Sequence, residues 1–215
     1  MRINRHLALK KYATRRGADK LIEAGLVTIN GRLAKIGETV EEKDRVEVRQ
    51  AKKPKVYTYL AYHKPRGEIT DSPLPGLFPI GRLDKDSSGL LLLTDDGRIT
   101  DRLLNPKHTH EKEYVVTARE PLRSNFARQM SSGVLIGDYT TRPCQVETIN
   151  DYTFRITLTE GKKHQIRRMC AALRVDIINL TRIRIMNLRL GRLAEGAHRP
   201  LTAPELSTFL KNLGL

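Results

Sequence analysis

The chain has 215 residues, 39 Lys plus Arg against 24 Asp plus Glu, a formal net charge of +15 and no Trp. At 29% charged and 39% hydrophobic it is globular and not disordered, with room for one medium domain and a small one. Charge of one sign at this excess repels itself in a compact state, so the expected partner is a polyanion, with nucleic acid favoured over acidic lipid.

Residues 1–55 hold 15 basic residues (8 Lys, 7 Arg) against 7 acidic ones, so +8 of the +15 sits at the start of the chain. Arg2, Arg5, Lys10, Lys11, Arg15 and Arg16 precede any acid at all. The pattern predicts a helix over 3–12, with some of its basic residues facing outward. A second helix is expected over 18–24, closed by Gly25. Leu26, Val27 and Ile29 then lead into Asn30-Gly31, a strong hairpin signal, and the return segment ends in the strand-like alternation of Arg45-Val46-Glu47-Val48. Two short helices and a hairpin with a basic face suit RNA, because phosphates at helix N-termini and along Lys/Arg rows give affinity without reading sequence. A helix-turn-helix bound to DNA fits less well, since the hairpin stands where a recognition helix would be. The run from Thr14-Arg15-Arg16-Gly17-Ala18-Asp19 through Gly25-Leu26-Val27-Thr28-Ile29-Asn30-Gly31 resembles the αL RNA-binding domain first described in a small-subunit ribosomal protein.

Ala51-Lys52-Lys53-Pro54-Lys55 is charged, holds a proline and has no period, so it reads as a linker. The expected organisation is an RNA-binding domain at 1–50, a linker at 51–56 and a larger domain at 57–215. In the larger domain the periodicities predict strands over 56–63, 90–93, 114–118, 146–148, 154–158, 177–180 and 183–190. Helices are predicted over 99–104, 124–130, 163–172 and 203–213, the last with Thr202 and Glu205 at capping-box spacing. Between the first two strands lies a loop rich in Pro and Gly. Strands outnumber helices and mostly alternate, so the fold class is α+β, a mixed sheet carrying helices.

Most of the chemistry is concentrated in Gly81-Arg82-Leu83-Asp84-Lys85-Asp86-Ser87-Ser88-Gly89-Leu90-Leu91-Leu92-Leu93-Thr94-Asp95-Asp96-Gly97. Asp84, Asp86, Ser88, Gly89 and Asp95 fall at calcium-loop spacing, but such a loop needs amphipathic helices on both flanks, and here one flank is Pro-rich and the other strand-like. The segment resembles the catalytic motif of RsuA-type pseudouridine synthases. The likeness recurs in the same order at Lys64-Pro65-Arg66-Gly67, Glu111-Lys112-Glu113-Tyr114, Glu160-Gly161-Lys162-Lys163-His164-Gln165-Ile166-Arg167-Arg168-Met169, Arg182, Arg184-Ile185, Gly191 and Arg199-Pro200-Leu201. Within the family, Arg182-Ile183-Arg184-Ile185-Met186-Asn187 and His110-Glu111-Lys112-Glu113-Tyr114 are similar to the RluF-like branch. That branch acts on 23S ribosomal RNA and in some members on a tRNA anticodon.

The resemblance implies a mixed-sheet catalytic domain behind the αL domain, and isomerisation of a uridine in RNA. The N-glycosidic bond is cut, the uracil turns in the pocket, and C5 joins the ribose. A carboxylate must be held against the sugar, either as nucleophile or as base. Asp84 matches it, and the two routes stay open. A buried carboxylate needs a cation beside it, and Arg167, with a planar fork able to hold two oxygens, is the match. Tyr114 offers a face for a flipped uracil and a hydroxyl for proton transfer at C5. An RNA track is expected from Arg2, Arg5, Lys10, Lys11, Arg15, Arg16, Arg82, Lys162, Lys163, His164, Arg168, Arg182 and Arg184, because residues 161–174 and 181–192 are basic without an acid. A noncatalytic RNA-binding or ribosome-assembly factor with the same fold is the alternative.

The cysteines, Cys144 and Cys170, lack C-x-x-C spacing, and the six histidines lack metal-ligand spacing. No metal or cofactor is expected, and reduced thiols suit the cytoplasm. Apolar runs are too short for a membrane span, and the start of the chain lacks the apolar stretch of a signal peptide. No apolar surplus calls for an obligate partner, so a monomer is expected.

Overall fold

The computed structural model describes residues 1–49 and 56–215; the linker expected at 51–56 lies outside the described residues except for Val56. The chain divides into two units, Met1–Tyr57 and Thr58–Leu215.

In the first unit α1 (Ile3–Leu9) and α2 (Arg15–Glu23) accompany a sheet of β1 (Val27–Ile29), β2 (Arg32–Leu33) and β3 (Val46–Val48), ordered β2-β1-β3 and antiparallel throughout. The first helix ends three residues before the predicted boundary because Lys11 turns left-handed at φ 63° and the Tyr12 amide reaches back to the Leu7 carbonyl at 3.0 Å. The second starts three residues early because the Thr14 hydroxyl caps it, accepting from the Gly17 amide at 3.1 Å. Asn30 and Gly31 both have positive φ, 52° and 84°, as a two-residue type I′ hairpin requires. Ile3, Leu7, Ala18, Ile22, Val27 and Ile29 form the core. The central strand is therefore buried, while Arg2, Arg5, Lys10, Lys11, Arg15 and Arg16 are all exposed.

The second unit is built on a nine-stranded sheet. In chain order its strands and helices are β4 (Tyr59–Lys64), β5 (Phe78–Ile80), β6 (Ser88–Thr94), α3 (Ile99–Leu104), β7 (Lys112–Ala118), α4 (Phe126–Ser131), β8 (Leu135–Ile136), β9 (Tyr139–Thr140), β10 (Gln145–Asn150), β11 (Thr153–Leu158), α5 (Gln165–Ala172), β12 (Ile177–Ile185), β13 (Leu188–Arg189), β14 (His198–Pro200) and α6 (Ala203–Asn212). The sheet runs β10-β11-β7-β12-β6-β4-β14, with β13 beside β12 and β5 beside β6; β8 and β9 form a separate ribbon. Only the β12–β6 pairing is parallel. All seven residues of β6 are buried, which is why its leucines run on without alternation. At Gly89 a Cβ would lie 2.3 Å from the Arg182 carbonyl oxygen, so only glycine lets β12 approach here.

Two predicted strands, 177–180 and 183–190, are one irregular strand, β12, which shifts register twice against β7 and then turns at Met186 into β13. Strands β5, β8, β9 and β14, each of two or three residues, are too short to show a period in the sequence. Helices α4 and α5 carry Phe126, Met130, Ile166, Met169 and Cys170 into a core with Phe154, whose ring meets Phe126 edge-on at 4.8 Å. No helix among the described residues is long and apolar enough to cross a membrane.

Candidate active site

A pocket of about 740 Å³ opens in the second unit between the loop before β6, the start of β7, the loop before α5, and Arg182 on β12. Its size suits a small-molecule or single-base ligand. Asp84, Tyr114 and His164 all line it.

Asp84 stands in a turn closed by the Ser87 amide on its carbonyl, at 3.0 Å. One carboxylate oxygen, Oδ1, lies 3.4 Å from His164 Nε2; the other, Oδ2, lies 3.9 Å from Arg167 Nε. The expected two-point grip by Arg167 is therefore absent. Its Nη2 donates instead to the Asp86 carbonyl at 2.9 Å and the Ser87 hydroxyl at 3.2 Å, so this arginine holds the loop as well as approaching the carboxylate. The carboxylate is also less buried than expected, with 37% of its side chain exposed where it lines the pocket.

The loop is anchored from below by residues whose roles the sequence does not announce. Lys64, 1% exposed, donates to the carbonyls of Pro65 and Ser87 at 2.8 Å and of Lys85 at 3.4 Å. Burial lowers its pKa, opposed by Glu68, Asp86 and Asp84. Thr70 donates to the Leu83 carbonyl and accepts from its amide at 3.0 Å. The signal for Lys64 is its place in the Lys64-Pro65-Arg66-Gly67 likeness, which marks the residue but not its role, and nothing in the sequence marks Thr70.

The loop before α5 is fixed through Glu160, which is 5% exposed. It accepts from the Tyr139 hydroxyl at 2.6 Å, the Arg142 amide at 3.1 Å and Gln165 Nε2 at 2.7 Å. Burial pushes its pKa up, yet these donors outweigh burial and leave it below the ordinary range. Gln165 in turn accepts from the Lys162 amide at 2.9 Å. His164, the residue before α5, has a left-handed φ of 52°, and the loop turns there so that its imidazole faces Asp84.

The basic residues expected on an RNA track separate into two groups. Arg82, Lys162, Lys163, His164 and Arg168 are exposed, although Arg168 also donates to the Ile136 carbonyl at 2.7 Å and Lys162 lies 4.3 Å over the Tyr139 ring. Arg182 and Arg184 correct the expectation. Arg182 is 1% exposed and donates to the carbonyls of Leu90 at 2.7 Å and Gly81 at 2.5 Å. Arg184, 15% exposed, pairs with Glu113 and with Glu111 at 3.0 Å. Both guanidiniums therefore have partners within the protein: backbone carbonyls for Arg182 and carboxylates for Arg184. Burial pushes the thiols of Cys144 to about 11 and Cys170 to about 12, so neither is a nucleophile.

Comparison with known proteins fits this architecture. A family model described as RNA pseudouridylate synthase matches residues 71–172, and an S4 domain model matches residues 1–46. The chain is 36% identical to the dual-specificity RNA pseudouridine synthase RluF of Escherichia coli (strain K12), covering 98% of this chain and 79% of that protein. It is 38% identical to ribosomal small subunit pseudouridine synthase A of Pasteurella multocida, covering 98% and 100%. The chain belongs to the RsuA/RluF-type pseudouridine synthases. A crystal structure of a pseudouridylate synthase superposes on this synthase with a TM-score of 0.70 at 32% identity, covering 99% of each chain. The synthase is thus an RNA-modifying isomerase, an S4 domain followed by a pseudouridine synthase domain.

Proposed function

We propose that this synthase isomerises a uridine of 23S ribosomal RNA, and a tRNA anticodon uridine as a second substrate, with Asp84 as the catalytic carboxylate. The observation that supports the site is the meeting of Asp84 with His164 and Arg167 at the wall of a base-sized pocket that Tyr114 also lines. The substitution balances as an isomerisation: the C1′–N1 bond breaks with its electron pair on the base, and C1′ bonds to C5. The C5 proton leaves and N1 takes one up. Asp84 serves at the sugar, as nucleophile at C1′ or as base on the neighbouring carbon. Tyr114, which lines the same pocket, is assigned to stack on the turned base and to relay the C5 proton through its hydroxyl. The exposed basic residues of the S4 domain, with Arg82, Lys162, Lys163 and Arg168, supply the grip on phosphate.

The P. multocida relative, matched along its whole length, favours a second reading in which the substrate is small-subunit ribosomal RNA. Mapping pseudouridine in total RNA with and without the gene separates the two: loss of a 23S site supports the first, and loss of a 16S site replaces it. For the residue, Asp84→Asn is expected to abolish isomerisation while RNA affinity stays within about threefold, since the exposed cations are untouched. Unchanged activity would remove Asp84 from the chemistry. RNA binding without isomerisation by the wild type would support the assembly-factor alternative.

A further inference from the structure

Lys112 is the one lysine on the β7 side of the pocket among the described residues. It stands two residues before Tyr114 on β7, so the two side chains share a face of the sheet. Arg182 is paired with Tyr114 in the β7–β12 register and lines the same pocket. The Lys112 ammonium has three donors, and the bond it makes is a long one, 3.3 Å to the His110 carbonyl. Burial, with Arg182 close by, pulls its pKa down to about 8, so the ion sits in a poorly hydrated place with a like charge for a neighbour. Among the described residues no carboxylate is in contact with it to balance either cost.

We propose that Lys112, backed by Arg182, is a catalytic residue that binds the uracil carbonyl edge and stabilises the anion formed when the base leaves the sugar. This rests on the reading above that the pocket isomerises uridine, and it holds for either role of Asp84. On both routes the C1′–N1 electrons leave with the base, and their charge spreads to the carbonyl oxygens. The charge is consumed when C5 uses that electron pair to bond C1′; loss of the C5 proton and protonation of N1 then restore the conjugated ring. A cation already desolvated and fixed before the reaction stabilises that charge without reorganising.

The test follows glycosidic cleavage in single turnovers with the full chain, on a transcript in which the wild type forms pseudouridine. The transcript is made with uridine or with 5-fluorouridine. Fluorine makes the departing base a more stable anion, so a missing cation matters less. Lys112→Met is expected to slow uridine about a hundredfold and 5-fluorouridine less than about tenfold, with RNA affinity within about threefold. Lys112→Arg, which keeps the charge, is expected to recover most of the rate. An equal loss on both bases, a loss of affinity with the rate unchanged, or no rescue by arginine would overturn the proposal. Wild-type activity in the same assay checks the underlying reading separately, so a defect confined to the variant bears on Lys112 alone. Thermal melting of each variant identifies a folding defect, and a Lys112→Met protein that does not fold leaves the arginine variant's response to the two bases to decide.

Discussion

The Asp84 carboxylate meets a different side chain at each oxygen, His164 at 3.4 Å and Arg167 at 3.9 Å, both contributed by the start of α5. Neither contact has the geometry of a closed ion pair, so the carboxylate is oriented without being tied up. Tyr114 adds ring and hydroxyl on the neighbouring wall. Its two functions separate in Tyr114→Phe, which keeps the packing against the α5 core and removes the hydroxyl. That variant is expected to bind RNA normally, to melt within a few degrees of the wild type, and to isomerise about a hundredfold more slowly or worse. Normal turnover would limit Tyr114 to stacking. At this scale the residue types of the site were readable in the sequence, because their order follows a family pattern, but their partners were not. Arg182 and Arg184 look alike in the sequence and in charge. One is buried on the Leu90 and Gly81 carbonyls and the other on Glu111 and Glu113.

Elements hold the site by a few close approaches. That of β12 to β6 at Gly89 is one. Gly89→Ala would drive a methyl group to 2.3 Å from the Arg182 carbonyl, at a φ of +111° that a side chain tolerates poorly. We expect destabilisation of about 3 kcal/mol or more by denaturant unfolding; a change under about 1 kcal/mol would mean that the strands can part there freely. The last helix, α6, is capped by Thr202 and Glu205 reciprocally, and Glu205 also takes both terminal nitrogens of Arg199 at 2.7 Å. Hydrogen bonding from Arg199 outweighs burial and lowers the Glu205 pKa to about 2, from 4.5. A carboxylate with a depressed folded-state value contributes stability above its unfolded value and loses it as pH falls through the folded one. The stability advantage of the wild type over Glu205→Ala, about 1–2 kcal/mol after allowance for solvent screening, should therefore be full above pH 5 and shrink steadily toward pH 2. Thermal melts of both proteins across that range are the check, and a pH-independent gap would mean that packing, not charge, dominates. The capping box was legible because both members lie within four residues of each other. Strand β14, which pairs with β4 from far along the chain, was not.

On the scale of the whole molecule, the +15 of the sequence is divided by what each positive charge touches. Arg2, Arg5, Lys10, Lys11, Arg15 and Arg16 of the S4 domain are exposed, and the proposed electrostatic grip is assigned to them. Replacing Arg5, Arg15 and Arg16 together by alanine should weaken RNA binding and flatten the dependence of log Kd on log salt by about 1 for each phosphate no longer neutralised. The single-turnover rate at saturating enzyme should stay as it is, because these residues do not line the pocket. A slower rate with unchanged affinity would contradict that division.

The sequence alone determined the module order, the hairpin at Asn30-Gly31 and the buried leucine strand, and its likeness to a family singled out the motif around Asp84. These depend on neighbours a few residues apart, where hydrogen-bond geometry and hydrophobic period leave a local record. Only the tertiary structure decided that Lys64 ties the Asp84 loop from beneath, that Arg182 is an internal strut, and that Lys112 stands in the pocket with one long bond to a carbonyl. Arg182 and Gly81 are 101 residues apart in the chain and meet because β12 lies parallel to β6. A residue's letter states how many hydrogen bonds it can make, while the fold determines which oxygens come within reach to accept them.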